Sequence, residues 1–279
     1  MVALKAEHRL ADLLAAAGLS RSTFFYHQAR LDGPDRHEDL KDAITRVFHD
    51  AHGRYGHRRV HHVLVQEGWQ VAKKTVLKLM RDLGLVCHVR RRRPYLAWKG
   101  RIGQVADNVL DRDFAAAAPN RKWVTDVTEF RVGDQRLYLS PVMDLFDHQV
   151  IAFTIGPSPS LALTNSCLDQ ALAGQDVTDG LIVHTDQGFQ YQHASWRQRL
   201  GAVGAIQSMS RRGNCYDNAV IENFFGHLKT EAIHHDHPTT IEDLTTTITT
   251  YIHWWNHDRV HTRIEGLSPV QYRAQALTA

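Results

Sequence analysis

The pattern of apolar and polar positions changes once along the chain. In the N-terminal part apolar residues recur at helical spacing. Leu10, Leu13 and Leu14 begin a short helix that Gly18 breaks, and Ser20 can cap a second through Phe24, Phe25 and Tyr26. Residues 8–29 thus have the size of a helix-turn-helix unit. Asp32-Gly33-Pro34-Asp35 interrupts it. A third helix is expected over 37–51, with Leu40, Ile44, Val47 and Phe48 on one face. The next passes through Val63 and Leu64 to Gly68. Another spans 72–83, with Val76, Leu77 and Met80 inward and Lys73, Lys74, Lys78 and Arg81 outward. From residue 121 strand-like runs take over, at 123–130, 136–144 and 150–155. They are followed by a helix over 160–173, a strand over 180–184, a helix over 194–200 and a strand over 203–208. This order predicts an α/β sheet with an antiparallel start and a parallel finish. A loop rich in Arg, Gly and Asn covers 209–217, and helices are expected over 218–233 and 241–256.

Charge sharpens this division. The 279 residues carry a net charge of only +3, yet the stretch 54–101 holds 13 Lys/Arg against Glu67 and Asp82. A basic segment beside an acidic body points to a polyanion-binding module next to a chemical domain. A short helix, a turn and a second helix with a basic face fit a DNA reader that uses Lys73, Lys74 and Lys78, with Arg58 and Arg59 nearby. Arg90, Arg91, Arg92 and Arg93 cannot pack in a core and read as an arm for phosphate. The expected organisation is a helix-turn-helix segment (1–31), a basic helical module (35–97), a linker (98–120), an α/β core (121–235) and a helical extension (236–279). No apolar run approaches the roughly 18 residues of a membrane span, and the N-terminus lacks an apolar signal core. Three distant cysteines argue for a reducing compartment. The expected location is the cytoplasm of a bacterium, with the chain on the nucleoid when it is on DNA.

Three acids are placed where chemistry occurs. Asp126 lies inside the first strand run. Asp186 follows Val183-His184-Thr185 at the end of a buried strand, where open α/β sheets carry their sites. Glu222 stands on a helix among Ala219, Val220, Ile221, Phe224 and Phe225. Acids converging without basic partners repel unless a cation is bound, and hard oxygen ligands favour Mg²⁺ or Mn²⁺. Sequence alone leaves their convergence open.

Thr125-Asp126-Val127-Thr128, His184-Thr185-Asp186-Gln187-Gly188 and Asn218-Ala219-Val220-Ile221-Glu222 resemble the three catalytic motifs of DDE transposases in the retroviral-integrase superfamily. Thirty-five residues separate Asp186 from Glu222, and Lys229 follows Glu222 by seven. Trp255-Asn256-His257-Asp258-Arg259-Val260-His261 and Leu267-Ser268-Pro269 extend the match. Over about residues 35–275 the chain is similar to the catalytic (OrfB) chain of the insertion-sequence-three family. The resemblance implies a ribonuclease-H-like core, a mixed five-stranded sheet with flanking helices, preceded by small helical DNA-binding modules. It implies that Asp126, Asp186 and Glu222 are catalytic ligands of Mg²⁺ or Mn²⁺, two ions in all, for cleavage of element-end DNA and transfer of its 3′-hydroxyl. Lys229 would meet phosphate near the scissile bond. The implied partners are double-stranded terminal-repeat and target DNA, a second copy or more on DNA, and an upstream-frame partner or fusion.

Other residues keep two readings. Arg211 and Arg212 grip DNA or are solvated. His184 orients Asp186 or simply packs. Trp123 and Tyr138 are assigned to the core. His57, His61 and Cys87 raise a zinc site, but no Cys-x-x-Cys completes it. Asn223 and Phe189 depart from the family pattern, next to the site rather than in it. The competing classes are a DNA-binding regulator with a decayed core and a nuclease of the same fold.

Overall fold

A computed structural model of the chain describes residues 2–31, 35–87, 105–177, 179–212 and 214–278. The N-terminus forms two short helices, α1 (Leu10–Ala17) and α2 (Arg21–Leu31). Ser20 Oγ accepts the Thr23 N–H at 3.1 Å and so caps α2. Phe24 is buried there under the Lys5 ammonium, 5.6 Å from the ring centre.

Next come α3 (Glu38–Asp50), α4 (His57–Gln66) and α5 (Lys73–Asp82). Their apolar stripes close on a core of Leu40, Ile44, Val47, Phe48, Val60, Leu64, Val76, Leu79 and Met80, which Val260 completes from far along the chain. Leu79 takes the inward place expected of Leu77, because positions 76, 79 and 80 share one helical stripe. Gly68 makes the turn between α4 and α5 at φ +92°, in a region that disfavours a side chain. The expected arginine arm, Arg90 to Arg93, and residues 98–104 of the expected linker lie outside the described residues. From 105 onward the segment packs rather than links. Leu110 is 2% exposed, and its N–H donates to Ser208 Oγ at 3.0 Å.

The sheet contains β1 (Lys122–Thr125), β2 (Thr128–Val132), β3 (Gln135–Asp144), β4 (Val150–Gly156), β5 (Ile182–Thr185) and β6 (Ile206–Met209). Both β1 and β2 pair antiparallel with β3. The register passes from Thr125↔Val142 to Thr128↔Leu139 without a step. They are one strand interrupted at Asp126-Val127, so the sheet has five strand positions, with β4 and the parallel pair β5 and β6 at opposite sides. This is the mixed ribonuclease-H-like arrangement. The last strand begins at Ile206 rather than 203, after Gly204 turns at φ +65°.

Side chains alternate between the two faces of the sheet. Trp123, Val142 and Val183 point to the side of α6 (Leu161–Gly174), the short α7 (Phe189–Gln192) and α8 (Ala194–Ala202), where Cys167, Leu168, Trp196 and Leu200 receive them. Val124, Leu139 and Met143 point to the side of α9 (Ala219–Leu228), with Ile221, Phe224 and Leu228. A π-helical turn, Lys229–Ile233, continues α9 into α10 (His234–Asp236). Then α11 (Ile241–His257) lies across the same face, and α12 (Pro269–Thr278) ends the chain. Tyr138 is half-buried and not a core residue. Its neighbours Leu137 and Leu139 take the inward positions, and its hydroxyl donates to Glu129 at 2.8 Å.

Candidate active site

The parallel pairing of β1 with β5 sets the site. Trp123 faces Val183 and Val124 faces His184. Carried two residues on, the same offset sets Asp126 beside Asp186, on neighbouring strands about 4.8 Å apart. The alternation that sends Val124 toward α9 sends Asp126 the same way, and α9 packs against β1.

The two acids are half-buried and poorly compensated. Asp126 accepts the N–H of Val127 at 2.7 Å, and Asp186 accepts that of Gly188 at 2.8 Å. Burial drives the Asp126 carboxyl well above the usual carboxylate range. The Asp186 charge adds to this and Glu222 adds further, while the Val127 N–H and the Lys229 charge oppose it. Burial also raises Asp186, against the Gly188 N–H. Tyr191, from α7, lies buried beneath the pair. Burial and the charges of Asp126 and Asp186 keep its phenol protonated.

Glu222 is near enough to act on Asp126 electrostatically, but it does not complete a cage. Among the described residues no three His, Cys, Asp or Glu side chains gather tightly enough to hold an ion. The donor set still fits a hard cation: all oxygen, with two of the acids half-buried side by side and destabilising each other. Lys229 faces the same pocket. Its ammonium donates to Thr128 Oγ1 at 2.7 Å and lies 5.2 Å from the Phe130 ring centre.

His184 packs as a strand residue. Its Nδ1 meets Ser208 Oγ at 2.8 Å and its Nε2 meets Ser210 Oγ at 3.0 Å. Burial lowers its pKa to about 4, so the ring is neutral at pH 7.

The basic residues divide. Arg58, Lys73, Lys74, Lys78 and Arg212 are exposed. Arg59 is half-buried and engaged within the protein: its side chain is 22% exposed, Nε donates to the Val260 carbonyl oxygen at 3.0 Å, and the guanidinium lies 3.7 Å from Glu231. Arg211 is also engaged. It holds Asp217, which is fully buried, through bonds of 2.9 Å from Nε and from NH2. Arg112 and Asn108 hold the same carboxylate at 2.9 and 3.0 Å. The Arg211 hydrogen bonds hold Asp217 far below the usual range. Arg211 and Asp217 of the loop expected over 209–217 are therefore clasped to the segment before β1.

The integrase core domain family matches residues 116–215, a second integrase core domain family matches 222–277, and an HTH-like domain family matches 35–93. The chain is 43% identical over 272 residues to InsK of Escherichia coli (strain K12), named as a transposase for insertion sequence element IS150. The match covers 98% of this chain and 96% of that protein. It is 34% identical over 235 residues to transposase InsF for insertion sequence IS3A of the same strain, covering 84% and 82%. Among solved structures, a simian T-cell lymphotropic virus intasome in complex with PP2A regulatory subunit B56 gamma shares the fold. The TM-score is 0.50 and the identity 17%, over 82% of this chain and 74% of that one. Fold and relatives define a polynucleotidyl transferase that acts on DNA. The chain belongs to the IS3-family insertion-sequence transposases of the retroviral-integrase superfamily, and its work is DNA transposition and integration. Among the described residues no helix is long and apolar enough to cross a membrane.

Proposed function

We propose that Asp126, Asp186 and Glu222 hold two divalent ions, Mg²⁺ or Mn²⁺, for cleavage at the element's ends and joining to target DNA. The observation that carries this reading is the β1–β5 register, which sets two half-buried acids side by side. Bound ions would activate the attacking oxygen and stabilise the leaving one. In cleavage, a water oxygen forms a bond to phosphorus as the bond to the 3′-oxygen breaks, and that oxygen leaves as a 3′-hydroxyl. In joining, this hydroxyl attacks a target phosphodiester and displaces another 3′-oxygen. Glu222 completes the cage by moving inward with α9. Lys229 exchanges Thr128 for a phosphate oxygen and neutralises charge there.

Lys73, Lys74, Lys78 and Arg58 offer an exposed basic face for the duplex. Arg212 and the arm Arg90 to Arg93 add phosphate contacts. Bringing two element ends together calls for at least two copies on DNA, and an upstream-frame partner can extend the chain. The test is a labelled duplex carrying the terminal sequence beside the gene, with Mg²⁺ or Mn²⁺. Wild type is expected to join strands, and Asp186→Ala to bind the duplex without joining. An unchanged joining rate in Asp186→Ala overturns the reading.

A further inference from the structure

Arg58 apart, two motifs take no part in this chemistry: Tyr55-Gly56-His57-Arg58-Arg59-Val60 and Trp255-Asn256-His257-Asp258-Arg259-Val260-His261. They meet at Glu231, which is 3% exposed in the π-helical turn two residues past Lys229. Arg259, itself buried, donates to both carboxylate oxygens, from Nε at 2.9 Å and from NH2 at 2.6 Å. The Tyr251 hydroxyl donates at 2.8 Å, and His227 Nδ1 lies 2.9 Å away. From the helical module, Arg54 donates through Nε to the Glu231 carbonyl oxygen at 2.9 Å, and its guanidinium stacks 4.8 Å from the Trp254 ring centre. Arg59 reaches the carboxylate as described above. The Val260 N–H donates to the Tyr55 hydroxyl at 2.8 Å. Burial works to raise the Glu231 carboxyl, but the Arg259 charge, the His227 hydrogen bond and the Arg259 hydrogen bonds hold it far below the usual range.

Stability alone does not call for this network. Apolar side chains of similar volume often fill such a place at least as well. What charged hydrogen bonds add is direction. Both the side chain and the backbone carbonyl of Glu231 are gripped by arginines of the module that carries the exposed basic face. Glu231 is also covalently part of the rod that bears Glu222 and Lys229. Residues two apart on a helix point away from each other, so Lys229 faces the acids while Glu231 faces the module. A π-helical turn between helical segments is a place where a helix can shift its register.

We propose that Glu231 is a positioning residue that couples engagement of DNA by α3–α5 to the approach of Glu222 and Lys229 toward Asp126 and Asp186. The proposal rests on the site reading above, in which Glu222 must move inward to complete the cage.

The test is single-turnover strand joining by the full chain at saturating protein with Mg²⁺, on two labelled duplexes. One carries the whole terminal sequence. The other keeps only the base pairs around the cleavage site, too few for α5 to reach. Wild type is expected to join the long duplex at least about tenfold faster, the scale of a typical coupling between sites. Glu231→Gln and Arg59→Met are expected to bind the long duplex with unchanged Kd yet join it at the short-duplex rate, with the short-duplex rate itself unchanged. Glu231→Asp, which keeps the charge, is expected to recover part of the advantage. Equal proportional losses on both duplexes, or an intact advantage of the long one, overturn the proposal. A weaker Kd with an intact saturating rate also overturns it, since Arg59 is then a DNA contact. Should Glu231→Gln fail to fold, Arg59→Met carries the comparison, because it leaves the Glu231–Arg259 pair whole. Joining by Asp186→Ala defeats the site reading instead and leaves the comparison of duplexes standing.

Discussion

The clearest consequence of the paired acids is that the metal-free protein should gain stability when one of them is neutralised. Asp186→Asn keeps the acceptor for the Gly188 N–H and removes a charge. Two unit charges about 5 Å apart, at an effective dielectric of about 20, repel by about 3 kcal/mol. Part of that is already relieved when the pair holds a proton, so the expected gain is about 1–3 kcal/mol at alkaline pH. For a chain of this size that is a rise in Tm of roughly 2–10 °C. The gain depends on pH. Both carboxyls are raised above their ordinary value of 3.8 in the folded protein. The folded state therefore holds protons that the unfolded chain releases. Wild-type stability is full below that value and is lost as pH rises through the raised folded values. The advantage of Asp186→Asn should accordingly be small at pH near 4 and grow toward pH 8. Magnesium should act in the opposite sense: in wild type an excess of about a hundredfold over Kd adds about 2.7 kcal/mol, and in the variant little. Thermal unfolding with chelator and with Mg²⁺ across that pH range measures both effects. A variant that is less stable in chelator, or that keeps the full magnesium shift, refutes the argument.

Two further outcomes are expected. Lys74→Ala with Lys78→Ala should weaken duplex binding by similar factors on all sequences and reduce the slope of log K against log salt by about one per lysine. A change confined to one sequence would mean base reading instead. Neutral, buried His184 should make the protein acid-labile. Its folded pKa of about 4 lies below the ordinary 6.5, so its contribution is full above pH 6.5 and falls by roughly 3 kcal/mol as pH drops toward 4. His148, lowered to about 4 by burial, acts in the same direction. Denaturant titrations of wild type and His184→Gln should therefore differ in slope across that window, and parallel curves would exclude the assignment.

How much of this was legible in the sequence depended on distance along the chain. Helices α3 and α5 and the strand around Trp123 follow from local periodicity, and each acid could be set at its own element. That Asp126 and Asp186 lie side by side is a matter of parallel pairing across sixty residues, which no local pattern encodes. The same limit explains Arg59. Beside Arg58 it looks like a second surface cation, but its partners Glu231 and Val260 come from far downstream. Glu231, in Lys229-Thr230-Glu231, has the look of a solvated helix end. Tyr138 is a different case, since the alternation of Leu137 and Leu139 was there to be read.

Val260 completes the apolar core of the helical module, and Trp254 packs against that core. The HTH-like module is thus built from two stretches of chain, one before and one after the catalytic sheet. An exchange of this module between relatives cannot be cut once at the segment before β1. Such a graft must also carry the stretch from about Tyr251 to His261, or it leaves the module's core open where Val260 and Trp254 close it.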